Sequence, residues 1–262
     1  MSLALPSVLL SVSAHDDDSE DNGEDYSKVT YGSAVKLLHK ASHFRLHSHQ
    51  IKWGSGSGQQ SVTGFEGPDD PNSLWQIKEG ISKGSGAAAP GTVVKCGDVI
   101  RLQHASTKRW LHSHLHQSPL THRQEISGYG EDGGVGSDSG DNWKVECYGS
   151  GVTEWARDTP VAFLHVDTGK RLYTRRQDAF DNNNCRGCPI VGQLEISAHN
   201  TGAQDANALW VAEGMSTQHR AACSSASPDS ALRILTLIAL FCCSVFVSDG
   251  IYFPVRDAAD QQ

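Results

Sequence analysis

The sequence predicts an all-β protein: a closed threefold barrel capped by hairpins. Three observations lead there. Apolar runs are short and are separated by turn clusters rich in glycine, of which the chain has 26 in 262 residues. Such punctuation marks strands joined by turns. Within the runs apolar residues alternate with period two, which places them on one strand face. The pattern of four strand-like pieces then recurs three times along the chain.

The first piece reads Val35-Lys36-Leu37-Leu38-His39, then Ile100-Arg101-Leu102-Gln103-His104, then Val161-Ala162-Phe163-Leu164-His165. Each ends in His, with apolar residues two and four positions earlier on the same face, so His39, His104 and His165 are expected to be buried and hydrogen-bonded. A Leu follows seven residues later each time, at Leu46, Leu111 and Leu172, and opens the second piece. The third piece runs Gln60 to Phe65, Gln124 to Tyr129 and Leu194 to His199. The fourth carries Trp75, Trp143 or Trp210. This gives about twelve strands between Val29 and Glu213. The first His positions lie 65 and 61 residues apart, longer than the roughly 40–45 residues of the commonest propeller blade. Closure of a barrel removes exposed sheet edges and lets the repeated Leu, Ile/Val and Trp residues meet around one axis.

The formal net charge of −8 is concentrated at one place. Residues 16–25 (DDDSEDNGED) hold seven acidic groups and no basic one, so the rest of the chain stands at −1. A near-neutral body offers no surface for nucleic acid, and the acidic run reads as a solvated arm over residues 15–27. Before it, residues 1–14 combine an apolar run with Val12-Ser13-Ala14 and resemble a cleaved secretory signal. Residues 215–231 read as a linker and 249–262 as a tail. Between them, 232–248 is a 17-residue apolar run interrupted only by Arg233. It reads either as a short membrane anchor or as translated non-coding sequence.

His39, Leu46-His47-Ser48-His49, the Gly54–Gly64 turn and Leu74-Trp75 resemble an MIR repeat. The stretch from Tyr31 to Gly214 is similar to the stromal cell-derived factor 2 family. The resemblance implies a β-trefoil of three MIR repeats, spanning 28–80, 90–147 and 154–213. It also implies residence in the lumen of the endoplasmic reticulum, a role in protein quality control and in the unfolded protein response, and partnership with a lumenal Hsp70, a J-domain co-chaperone and unfolded client proteins. The family ends in a KDEL-like signal where this chain has Asp257-Ala258-Ala259-Asp260-Gln261-Gln262. Retention would then fall to 232–248, and without an anchor the protein would be secreted.

His47 and His49, like His112 and His114, alternate opposite Leu46 and Leu111. They are therefore expected to face loops or solvent, where they either make turn-stabilising hydrogen bonds or line a polar ligand or peptide groove, glycans being the alternative ligand. Repeat three has Leu172-Tyr173-Thr174-Arg175 instead, so a His-based site belongs to repeats one and two. No motif calls for a cofactor or a resident metal, and no nucleophile–base–acid set can be read. Gly54-Ser55-Gly56-Ser57-Gly58 lacks the Lys of a P-loop and reads as a flexible hairpin loop, though its N–H groups could cradle an anion. Cys96 and Cys147 flank repeat two and are expected to form a disulfide. Cys185-Arg186-Gly187-Cys188 has redox-like spacing without a βαβ pattern around it, which favours a local bridge or two free thiols over an active dithiol.

Overall fold

The computed structural model describes residues 27–81, 88–131 and 135–213. The signal-like start, nearly all of the acidic arm, and the linker, apolar run and tail after residue 213 lie outside them. Among the described residues there is no α-helix, and no helix long and apolar enough to cross a membrane.

Thirteen strands form one antiparallel sheet. The first repeat supplies β1 (Ala34–His39), β2 (Arg45–Lys52), β3 (Gln60–Phe65) and β4 (Leu74–Glu79). The second supplies β5 (Val99–His104), β6 (Trp110–Gln117), β7 (Gln124–Tyr129) and β8 (Trp143–Cys147). The third supplies β9 (Pro160–His165), β10 (Arg171–Tyr173), β11 (Leu194–Glu195), β12 (Ser197–His199) and β13 (Trp210–Ala212). The count exceeds the expected twelve because one piece divides at Ile196, where the chain leaves β3 as its partner and takes up β10 and β7.

The sheet closes on itself. Pairings run β1–β4–β5–β8–β9–β13 and back to β1. The remaining strands form hairpins that join in a second cycle, β3 with β7, β7 with β12, and β11 with β3. Each strand of this cycle gives one half to each neighbour, and the crossing is tight. A Cβ on Gly64 would lie 3.2 Å from the Leu194 Cβ, and the matching positions are Gly128 and Ala198. Before β1, β5 and β9, a cycle of backbone bonds links Val29 N to Trp155 O, Trp155 N to Val94 O and Val94 N to Val29 O, each 2.9 Å.

Leu46, Leu111 and Leu172 are fully buried in one core with Trp75, Trp143 and Trp210. Each indole meets its polar requirement locally. Trp75 Nε1 donates to Leu46 O at 2.9 Å, Trp143 to Leu111 O at 2.9 Å and Trp210 to Leu172 O at 3.2 Å. Cys96 and Cys147 are joined, with Cα atoms 5.5 Å apart, tying the entry of repeat two to its exit. Cys185 and Cys188 form a second, local bridge.

Candidate functional site

The repeated histidines join neighbouring repeats. His104 lies against Trp75, His165 against Trp143 and His39 against Trp210, with ring centroids 4.9–5.0 Å apart. So each histidine packs on the indole of the preceding repeat, and the third indole returns to the first repeat. Their Nδ1 atoms meet Ser42 Oγ, Thr107 Oγ1 and Thr168 Oγ1 at 2.7–2.9 Å. Nε2 of His104 and His165 meets the carbonyls of Asn72 and Gly140 at 2.9 Å. Nε2 of His39 faces the Asn207 carbonyl but falls outside hydrogen-bond geometry. Burial disfavours the imidazolium, so all three pKa values fall, that of His39 to about 4.

The hairpin histidines differ from expectation in burial, while His47 and His112 do make hydrogen bonds that stabilise turns. His47 and His112 are buried rather than turned to loops or solvent. The face opposite Leu46 and Leu111 is covered by the 3-10 turns Pro71–Ser73 and Ser139–Asp141. His47 Nδ1 meets Asp70 Oδ2 at 2.6 Å and His112 Nδ1 meets Asp141 Oδ1 at 2.9 Å. Desolvation outweighs the attraction of Asp70 and lowers the His47 pKa to about 4. His47 is thus neutral and donates to an ionised Asp70, whose own pKa is lowered by the Asn72 N–H and by His47 against its burial. His49 packs edge-on against His47 at 5.1 Å, and its pKa is lowered by burial. His114 packs edge-on against His112 at 5.1 Å, and its Nε2 meets Glu125 Oε1 at 3.0 Å. The structure therefore does not bring the four histidines into one site. They form two separate pairs, one on each hairpin.

Donor atoms of His112, Asp138 and Asp141 lie within 4.8 Å of one another, close enough to consider a cation. Internal partners already engage them. Asp138 caps Gly140 N at 2.8 Å, while Asp141 accepts from Ser137 Oγ at 2.6 Å and Asp138 N at 2.9 Å.

Three kinds of residue escaped the sequence reading. Asp70, Asp138 and Asp205 cap the three 3-10 turns. Each stands five residues before the repeated Trp, a regularity visible in the sequence. Ser42, Thr107 and Thr168 each follow the core His by three. The buried carboxylates Glu125 and Glu195 hold loops of the preceding repeat. Glu125 accepts from Ser57 N at 3.2 Å and from Ser57 Oγ. The Gly54–Gly58 loop thus gives one N–H and one hydroxyl to an anion, and that anion is the protein's own. Gly56, at φ 65°, leaves space there, since a Cβ would lie 1.9 Å from Glu125 Oε2. Glu195 accepts from Leu120 N at 2.6 Å, Thr121 N at 3.0 Å, Ser118 Oγ at 3.1 Å and Thr121 Oγ1.

With those groups engaged, one accessible feature among the described residues is a polar cleft of about 310 Å³ between the second and third hairpins, and a second of about 330 Å³ lies beside Tyr129 and Val135. The walls of the first include Leu115, His116, His122, Arg123, Lys170 and His199. Leu115 is 85% exposed, high for a large apolar side chain. Arg123 is fixed by Asp178 at 2.7 Å and lies over the Tyr173 ring at 4.9 Å. The His199 pKa is lowered by desolvation and then by Arg123, so cationic groups converge here.

The MIR domain family matches residues 44–186. The chain is 47% identical over 192 residues to a stromal cell-derived factor 2-like protein of Dictyostelium discoideum, covering 71% of this chain and 84% of the relative. It superposes with a TM-score of 0.62 on the crystal structure of the SDF2-like protein from Arabidopsis thaliana, at 43% identity, covering 71% of this chain and 94% of the other. A protein O-mannosyltransferase complex of S. cerevisiae bound to the sugar donor matches at 26% identity and a TM-score of 0.60, covering 71% of this chain and 25% of that one. The chain belongs to the stromal cell-derived factor 2-like family of MIR-domain proteins.

Proposed function

We propose that this protein is a non-enzymatic binding module of the endoplasmic reticulum, a β-trefoil of three MIR repeats that acts in protein quality control. It would join a lumenal Hsp70 and a J-domain co-chaperone, or hold unfolded clients directly. The observation that carries a binding role is how the polar groups are spent. His47, His112, Glu125 and Glu195 are consumed in bonds that fix hairpins and turns. Of the clefts that face outward, the one beside Leu115 sets the most exposed of the described large apolar residues against Arg123 and Lys170. A polypeptide with apolar and acidic side chains suits that surface. The chaperone assignment draws on family membership, and the two disulfides fit an oxidising compartment.

The test is affinity purification of the full chain from solubilised microsomes, beside a Leu115→Asp/Lys170→Glu variant. The reading expects a lumenal Hsp70 and its J-domain partner with the wild type, and at least tenfold less with the variant. Equal recovery from both would refute the cleft as the docking face, and no chaperone with either would refute the partnership. A glycan-binding role is the second reading, favoured by the likeness to the O-mannosyltransferase complex. Under that reading free mannose-containing oligosaccharide competes away whatever the chain binds.

A further inference from the structure

The three hairpin loops are secured by different means. Glu125 holds the first and Glu195 the second, each from the following repeat. The third loop would need its carboxylate from β3, where the matching position is Ser61, whose hydroxyl donates to Ile51 O. This loop instead carries the Cys185–Cys188 bridge, Cα atoms 5.5 Å apart.

The bridge is not what shapes the loop. Phe180 N donates to Gln193 O and Gly192 N to Phe180 O, each at 2.8 Å, closing the hairpin below it. Asp181 organises the turn. Its Oδ1 accepts from Asn183 N at 2.8 Å and Asn184 N at 3.0 Å, and its carbonyl accepts from Cys185 N at 2.8 Å. Asn184 Nδ2 donates to Ala179 O at 2.9 Å. A cross-link restrains the unfolded chain in proportion to the logarithm of the loop it closes. A separation of 3 residues constrains far less than the 51 of Cys96–Cys147.

The site is also open and sided for a polypeptide. Both cysteines are partly exposed, and Asn184, Arg186, Gly187 and Pro189 around them are exposed. Beneath, both pack against the cluster of Trp53, Phe180 and Ile190, with Leu120 alongside.

We propose that Cys185–Cys188 is a thiol–disulfide exchange site that oxidises paired thiols of unfolded polypeptides. A substrate thiolate attacks one Sγ, the Cys185–Cys188 bond breaks, and a mixed disulfide forms. The other Sγ leaves as a thiolate and takes up a proton. The second substrate thiolate then attacks the substrate sulfur of the mixed disulfide and expels the remaining cysteine. Two electrons pass from the two substrate thiols to the bridge, which ends as a dithiol, so a single transfer needs no other oxidant. The local bridge itself is one of the two outcomes expected from the sequence, and the proposal adds exchange chemistry to it. It goes beyond the non-enzymatic reading above, being one stoichiometric transfer per chain, and it does not rest on that reading because it requires no chaperone partner.

The experiment uses the full chain with Cys223→Ser, Cys242→Ser and Cys243→Ser, so that the two bridges hold the only sulfurs of cysteine. A synthetic unstructured peptide with two cysteines is added in reduced form, and disulfides are followed by acid quench and peptide mapping. The expected result is one equivalent of oxidised peptide, formed at least tenfold faster than with an added Cys185→Ser/Cys188→Ser pair. Cys96–Cys147 should stay intact, and the pair should leave the circular dichroism spectrum unchanged. Oxidation no faster than with the pair, reduction of both bridges in step, or failure of the pair to fold would each overturn the proposal.

Discussion

Glu195→Ala tests whether a buried carboxylate, rather than packing, fixes the second hairpin loop. The side chain is almost fully buried and accepts from Ser118 Oγ, Leu120 N, Thr121 N and Thr121 Oγ1. Hydrogen bonds to a charged group contribute about 1.5–3 kcal/mol each. They do not add here, since Leu120 and Thr121 are partly exposed and water can take up their N–H groups once the carboxylate is gone. The expected loss is therefore about 3–4 kcal/mol, well below the sum of four such bonds, with the buried Ser118 hydroxyl the donor least able to find water. Glu195→Gln keeps one acceptor oxygen but turns an NH₂ toward N–H donors, so it should lose about half as much. Urea unfolding gives the total, and amide hydrogen exchange locates it. Protection should fall at Leu120 and Thr121 while Ser57, held by Glu125, keeps its own. An alanine variant that loses less than about 1 kcal/mol, with Leu120 and Thr121 still protected, would refute the reasoning.

Cys96→Ser with Cys147→Ser opens a bridge with a separation of 51 residues, and urea unfolding should show a loss of about 4 kcal/mol on the chain-entropy account. Leu111→Ala empties a fully buried position and should cost about 2–5 kcal/mol, whereas Leu115→Ala on the surface should stay within about 0.5 kcal/mol; equal effects would misplace the core. Acid should destabilise the fold between about pH 6.5 and 4. The folded state keeps His39 and His47 neutral down to about 4, while the unfolded chain protonates them near 6.5. Stability is therefore full above pH 6.5 and falls by up to about 1.4 kcal/mol per pH unit for each group on the way down. Urea midpoints at several pH values check this, and a His47→Gln variant should show a shallower slope.

The barrel was legible because its signal is repeated. Val35, Leu37 and His39 alternate as Ile100, Leu102 and His104 do, and agreement between copies turns short runs into a pattern. The hairpins were less legible because both faces are covered. Alternation places His47 opposite Leu46, but it says nothing of the turn that folds over the second face and buries it. The turn itself was announced by Asp70, Asp138 and Asp205 at a constant distance from Trp, a polar regularity overlooked beside the apolar ones. Glu125 and Glu195 stood in the aligned third pieces, one residue before Ile126 and Ile196. Their partners, however, lie 68 and 75 residues away. No spacing within a repeat reveals a bond made between repeats.

That distinction bears on how the molecule is held together. No repeat completes its own polar and aromatic contacts. Trp75 needs His104, Trp143 needs His165 and Trp210 needs His39, so the last contact joins strands from opposite ends of the described chain. The backbone cycle through Val29, Trp155 and Val94 is shared in the same way. In a linear array of repeats each added unit gains one interface, and partial arrays can persist. In a closed cycle the final interface forms only when all three units are present, and it is the one of greatest sequence separation. The entropy of that closure is lost before its contacts are gained, which slows folding and removes stable intermediates of one or two repeats. The hairpin cycle adds a second layer of the same kind, with Glu125 and Glu195 each reaching back to the repeat before. The third hairpin has, among the described residues, no carboxylate reaching back to its turn, which Asp181 and the Cys185–Cys188 bridge organise, while Arg123 of the second repeat and Thr63 of the first hold its Asp178 and Gln193. It is therefore the loop whose covalent chemistry can change while the rest of the cycle stays closed.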